Sequence, residues 1–290
     1  MSLSFSYYLV INTIKLKGIK KIFSKNPIDY QALRKDDVYT PTTRHLQKNH
    51  HQTTVLKSKI HHFTQVESDQ LVIYIHGGAF IFGPCRHHWE AIKSIYKHTN
   101  QNVWLIDYPK APEHEIKEIT ENIKAVYTEA LKSFEPKNIS LVGDSAGGTL
   151  IIKLMQQISD LIYPKQLILI CPVIDASFEN EGIKEIETKD IMLAIKGVRS
   201  AKEMCLRDTN LKNPAISPLY DSIQKFPKTT ICIATQDITS VDQYKFVEKL
   251  EETGTEINVI EGEKMPHIRP LLPIMKESKF ALNQIVELLQ

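Results

Sequence analysis

From residue 70 onward the chain is punctuated by short apolar runs: QLVIYIH (70–76), NVWLIDY (102–108), NISLVGD (138–144), QLILICPV (166–173), TTICIAT (229–235) and TEINVIE (255–261). They are rich in β-branched residues and nearly continuous in apolarity, the pattern of strands buried on both faces of a parallel sheet. Between them the period changes. Ile116, Ile119, Ile123, Val126 and Ala130 recur at helical spacing, as do Val241, Tyr244, Val247 and Leu250. A last helix is expected over about 271–289, and TTVLKSKIHHFTQ (53–65) reads as one partly solvated strand at an antiparallel edge. Strand alternating with helix predicts an α/β fold, a mostly parallel doubly wound sheet with right-handed crossovers.

Two stretches fall outside the alternation. Residues 1–48 precede it, and 176–215 separate two strands by more than a crossover needs; the latter contains ETKDIMLAIKGVRSAKEMCLRD, helical in composition. Open α/β sheets bind ligands at the carboxyl ends of their strands, where extra segments commonly form a lid. With no internal repeat and no low-complexity linker, the expectation is one domain over 1–290 with a discontinuous cap at about 1–48 and 176–215. The first 25 residues carry Lys15, Lys17, Lys20, Lys21 and Lys25, and no acidic residue precedes Asp29. These lysines follow the apolar stretch, whereas a secretory signal places its charge first. An amphipathic helix that packs on the body or covers a site is expected, with contact to an anionic membrane surface as the competing reading.

Composition narrows the picture. The chain has 290 residues, 24% charged and 42% hydrophobic, with a formal net charge of +2. That fits a soluble globular protein with a sizeable core and argues against a nucleic-acid partner, as no basic block is interleaved with aromatics. Cys85, Cys171, Cys205 and Cys232 lack metal-ligand spacing; buried thiols in a reducing, cytoplasmic setting are expected. No stretch approaches the roughly 20 apolar residues of a membrane span.

The chemistry centres on Ser145. Gly143-Asp144-Ser145-Ala146-Gly147 is a G-x-S-x-G turn that follows one expected strand and opens a helix. Small flanking residues let such a turn tighten until the serine oxygen stands exposed above the sheet. A second turn, HGGAF (76–80), also ends a strand. Its small residues allow backbone N–H groups to approach a developing oxyanion. Gly78, Ala79 and Ala146 are the expected donors, Gly77 shapes the loop, and His76 is available to anchor it by hydrogen bonds. Asp237 follows the strand TTICIAT and His267 lies in EKMPHIRP after the next one, so both can converge on Ser145 from carboxyl-end loops. A histidine near neutral pKa can take the serine proton and return it, and a carboxylate can orient it. Asp242 is expected inside the following helix and is the weaker acid candidate; Asp144 should point away and brace the turn. His61-His62 and His87-His88 lack an accompanying carboxylate cluster, and adjacent side chains diverge, so they are read as surface residues and not as metal ligands.

HGGAF, YPKAPEHE (108–115), GDSAGG and MPHIRP, in this order, resemble the motifs of the hormone-sensitive-lipase-like branch of the α/β-hydrolases. The resemblance runs from about residue 70 to the end. It implies an α/β-hydrolase fold and a serine carboxylesterase with Ser145, Asp237 and His267 as catalytic triad. The oxyanion hole would form at Gly77, Gly78, Ala79 and Ala146, with no metal or organic cofactor. Ala79 stands where the family usually has a third glycine, Lys110 and Glu115 depart from the usual Y-R-L-A-P-E-H-P, and Ile268-Arg269 replace more frequent small or aromatic residues. None removes a reacting group; they bear on substrate preference. The expected partner is a small-molecule ester, and a homodimer is consistent with the family. A lipase, thioesterase or amidase on the same triad, or a non-catalytic receptor of the same fold, are the alternatives.

Overall fold

The computed structural model describes residues 3–41, 43–65, 67–208 and 210–290. The strands are β1 (His50–Val55), β2 (Ser58–Phe63), β3 (Leu71–Ile75), β4 (Asn102–Asp107), β5 (Ile139–Asp144), β6 (Gln166–Ile170), β7 (Lys228–Ala234) and β8 (Ile257–Gly262). They form one 8-stranded sheet of order β1-β2-β4-β3-β5-β6-β7-β8. β2 runs antiparallel to both β1 and β4, and the remaining neighbours are parallel. β3 to β6 are buried throughout, and β7 is buried beyond its first residue. Such strands need apolar residues at every position because helices cover both faces.

The edges differ from expectation. β8 keeps several residues in solvent, so TEINVIE marks an edge strand and not a doubly covered one. The stretch 53–65 is not one strand. It turns at Leu56, φ 51°, and Lys57, whose N–H donates to Asn122 Oδ1 at 2.8 Å. The result is a hairpin whose outer strand begins at His50.

The helices are α1 (Phe5–Lys17), α2 (Ile19–Phe23), α3 (Tyr30–Leu33), α4 (Arg44–Lys48), α5 (Arg86–Thr99), α6 (Ile116–Ala130), α7 (Ala146–Met155), α8 (Gly182–Lys189), α9 (Ile195–Glu203), α10 (Ser240–Glu252) and α11 (Lys276–Leu289). α11 starts later than the periodicity suggests because a 3-10 turn, Arg269–Leu271, takes the residues before it. α5 packs with α11, and α6 with α7. Trp89 of α5 and Tyr127 of α6 are among the largest fully buried side chains, each worth about 1.5–3 kcal/mol or more by area.

Strand order reverses between β3 and β5, since β4 lies on one side of β3 and β5 and β6 on the other. At such a reversal the loops leaving the strands diverge to opposite faces and open a crevice. The segments outside the alternation touch one another and the loop before His267. Ile28 N–H donates to Ser200 Oγ of α9 at 3.0 Å, and Lys20 Nζ donates to the carbonyl of Asp190 at 2.6 Å. Tyr7 OH donates to the carbonyl of Lys264 at 3.0 Å, just ahead of His267. Among the described residues no helix is long and apolar enough to cross a membrane.

Candidate active site

Ser145 occupies φ 49°, ψ −117°, between the last residue of β5 and the first of α7. A non-glycine residue there stores about 1–3 kcal/mol of strain. The turn is held by Ser145 N–H on the Ile170 carbonyl at 2.8 Å and Thr149 N–H on the Ser145 carbonyl at 3.2 Å. Gly147 explains how α7 can start so close to β3: a Cβ there would lie 2.0 Å from the Ile75 carbonyl oxygen. Ser145 remains half-buried. Its hydroxyl makes no hydrogen bond among the described residues; in resting sites the bond to a base commonly tightens only with substrate bound.

The turn after β3 is tied to the residue before this serine. Gly78 has φ +115°, and a Cβ on it would meet the Phe82 carbonyl oxygen at 2.1 Å. Ala79 and Phe80 follow at φ 53° and 68°, so Ala79 takes the left-handed conformation despite its Cβ. Gly77 N–H and Tyr74 OH both donate to Asp144 Oδ1, at 3.0 and 2.9 Å, and His88 Nε2 stands 3.4 Å from Oδ2. Asp144 thus ties the two turns together, the bracing role expected of it. Burial alone would raise its carboxyl; His88, His87 and the Tyr74 hydroxyl outweigh burial and hold it well below the usual carboxylate range. The N–H of Gly77 is committed to Asp144. Those of Gly78, Ala79 and Ala146 have no acceptor among the described residues, and Ala146 opens α7, where the helix dipole favours an anion. His76 is structural: its ring stacks on Tyr108 at 4.4 Å, and burial keeps it neutral.

Asp237 and His267 meet as their strand-end positions suggest. His267 Nδ1 lies 2.6 Å from Asp237 Oδ2, and Asp237 Oδ1 accepts the N–H of Thr239 at 2.9 Å. Burial pulls the His267 imidazole down, but Asp237, Asp190 and Asp144 outweigh burial and lift it above its ordinary value. The pair adjoins the serine turn through β6. Ile170 receives Ser145 N–H, and the next residue, Cys171, has its Sγ within 4.8 Å of ligand atoms of both Asp237 and His267. Asp242 sits in the first turn of α10, accepting from Asn180 Nδ2 at 3.1 Å, away from His267.

The paired histidines are not surface residues. His61 and His62 are buried in the hairpin, their pKa values pushed down to about 4, chiefly by burial. His88 is buried, and its Nδ1 accepts the Cys85 N–H at 2.8 Å, leaving Nε2–H for Asp144. His87 is half-buried; burial pushes it down to about 3, with His88 and His267 adding to the effect. Cys85, His87 and His88 have potential ligand atoms within 4.8 Å of one another, but neither nitrogen of His88 is free for an ion. Period and polarity alone could not separate buried imidazoles from solvated ones, because the partners come from remote turns. The buried carboxylate of Asp190 leaves no signal in the sequence for the same reason. A cleft of about 400 Å³ lined by Arg34, Lys57, Lys110 and Glu113 includes none of the candidate residues. Its Arg34, Lys57 and Lys110 are already paired with Glu113, Glu118 and Asp107.

Known proteins share this fold. Residues 72–270 match the family model of the alpha/beta hydrolase fold. An esterase of Acinetobacter venetianus is 30% identical over 67% of this chain and 65% of its own length. An esterase of Mycobacterium tuberculosis is 25% identical over 74% of this chain and 76% of its own. A Staphylococcus aureus protein of solved structure, assigned as an esterase, superposes with a TM-score of 0.85 at 25% identity, covering 96% of this chain and 97% of that one. A bacterial esterase of the hormone-sensitive lipase family shares the fold, with a TM-score of 0.85 at 23% identity over 100% and 98% of the chains. On its family match the chain belongs to the α/β-hydrolase family, and the sequence relatives it resembles are esterases.

Proposed function

We propose that this protein is a serine carboxylesterase acting on short- to medium-chain esters through an acyl-enzyme. The observation that carries the reading is the 2.6 Å contact between His267 Nδ1 and Asp237 Oδ2 beside the strained Ser145 turn. With Nδ1–H directed at Asp237, Nε2 carries the lone pair and is the nitrogen that accepts the Ser145 proton. The freed oxygen attacks the ester carbonyl, and the N–H groups of Gly78, Ala79 and Ala146 receive the oxyanion, with Gly77 shaping their loop. His267 returns the proton to the leaving alcohol. Water then attacks the acyl-serine by the same route, and Ser145 is restored. No step calls for a metal or organic cofactor. Residues 1–48 and 176–215 form the cap that bounds the acyl pocket in this reading. The same triad would serve a thioester, amide or long-chain lipid, and the length of the acyl group follows from that cap. A homodimer accords with the family resemblance, and a cytoplasmic setting with the free, buried cysteines.

Ser145→Ala should lower kcat by at least ~10³-fold toward p-nitrophenyl acetate with the fold intact. An organophosphonate should add one covalent group to the wild type and none to Ser145→Ala, as read by intact mass. Turnover near the wild-type value in the variant would overturn the triad. A wild type that binds ester without turnover or adduct would favour a receptor of this fold.

A further inference from the structure

The turn between α8 and α9 brings a second carboxylate to the acid–base pair. Asp190 is 2% exposed. Its Oδ1 accepts the N–H groups of Met192 and Leu193, each at 2.8 Å, which fixes the entry into α9. Its Oδ2 accepts the N–H of Ile238 at 3.0 Å. Ile238 directly follows Asp237, and the next N–H, that of Thr239, donates to Asp237 itself. Consecutive N–H groups of one loop are therefore divided between two carboxylates, one in the loop and one in the segment packed over it. The carbonyl of Asp190 is held in turn by Lys20 of α2. Burial, and then the charge of Asp237, raise the Asp190 carboxyl above its usual range; its three N–H donors oppose them and favour the anion.

We propose that Asp190 is a positioning residue for ester hydrolysis: it clamps the Asp237 loop to the cap and adds a second negative charge that stabilises the His267 imidazolium. The proposal rests on the triad assigned above. His267 faces Asp237 from the loop after β7, Asp190 from the α8–α9 turn, Asp144 from the end of β5 and His87 from α5. Of these, Asp190 is the carboxylate supplied by the inserted segment 176–215. Proton transfer from Ser145 makes His267 cationic, so a nearby buried anion favours the state that forms during the reaction more than the resting one. The Ile238 bond also restricts the loop from which Asp237 reaches Nδ1. Correct seating of the inserted segment and competence of the triad are thereby linked.

The test is the pH profile of kcat and KM for p-nitrophenyl acetate in Asp190→Asn. Loss of the anion lowers the pKa of His267, so the acidic limb of kcat/KM should move to lower pH by about half to one unit. The plateau kcat should fall by about tenfold, the equivalent of about one unit of imidazolium stabilisation, with KM unchanged. Asp190→Ser, which keeps a capping oxygen for Met192 and Leu193 without the charge, should behave alike. Both effects together support the proposal. A fall in kcat with an unmoved limb would show a purely structural residue and overturn it, as would a moved limb without a fall in kcat, or no change. Failure of both variants to fold would assign Asp190 to folding and equally overturn it. Phosphonate labelling of wild-type Ser145 tests the triad separately: labelled wild type with unaltered variants refutes only the role of Asp190.

Discussion

Two aspartates five residues apart, Asp237 in the loop after β7 and Asp242 in the first turn of α10, meet opposite surroundings. Asp237 is fully buried against His267, whereas Asp242 turns to Asn180 and is raised, mainly by burial, as an ordinary enclosed carboxyl would be. Asp237→Asn should lower kcat by about 10³–10⁴-fold, because an amide does not hold the imidazole tautomer or its charge. Asp242→Asn should stay within about twofold. Steady-state kinetics on the purified variants would reveal a reversed order, and with it a wrong register for this loop. His267 must be neutral to act as base, and its neighbouring carboxylates raise its pKa despite burial. Activity should therefore be lost as pH falls through a single ionisation above the ordinary histidine value of about 6.5. A limb clearly below that value would contradict the sign.

At the scale of elements, the β1–β2 hairpin depends on keeping imidazoles uncharged. His51 stacks on His62 at 4.4 Å, and His50 Nε2 lies 3.0 Å from His61 Nδ1. Within the fold His61 and His62 sit at about 4, below the unfolded value near 6.5. For bases depressed by folding, the native state binds fewer protons than the unfolded one. Stability is therefore full above about 6.5 and is lost as pH falls from there toward 4. The Tm should decline over that window, and less so in His61→Gln; parallel declines in calorimetry would refute the attribution. Helix α1 departs from the amphipathic pattern expected of it. Tyr7, Val10, Ile11 and Ile14 are buried, yet Phe5, Tyr8, Leu9 and Leu16 are exposed along the opposite stripe. Its two apolar faces are why a count of apolar residues could not choose between packing on the body and facing a surface.

For the whole molecule, the issue is how segments remote in sequence bear on one crevice. The first 25 residues reach the loop before His267 through Tyr7 and the Asp190 turn through Lys20. Deleting residues 1–25 should alter KM and acyl-chain preference across a series of p-nitrophenyl esters more than it alters phosphonate labelling of Ser145. Strong, salt-sensitive binding to anionic vesicles that disappears on truncation, with unchanged ester kinetics, would instead make the segment a membrane-surface helix.

Alternation of β-branched runs with helical periods was enough to specify the parallel sheet, because strands covered on both faces must be apolar throughout. The G-x-S-x-G and HGGA turns were equally legible: small residues at fixed spacing are what a close approach of two backbones demands, and Gly147 against Ile75 is an instance. The strand-end positions of Asp237 and His267 could be inferred from the order of the elements. The edges could not, since β8 and the hairpin differ from interior strands only in what covers them. Nor could the burial of His61, His62 and His88, or the placement of Asp190 beside Ile238, where a carboxylate of one segment meets a backbone N–H supplied by a distant loop. Local sequence sets period and turn chemistry; which polar groups end up enclosed together depends on how remote segments pack, and that was decided only in the folded chain.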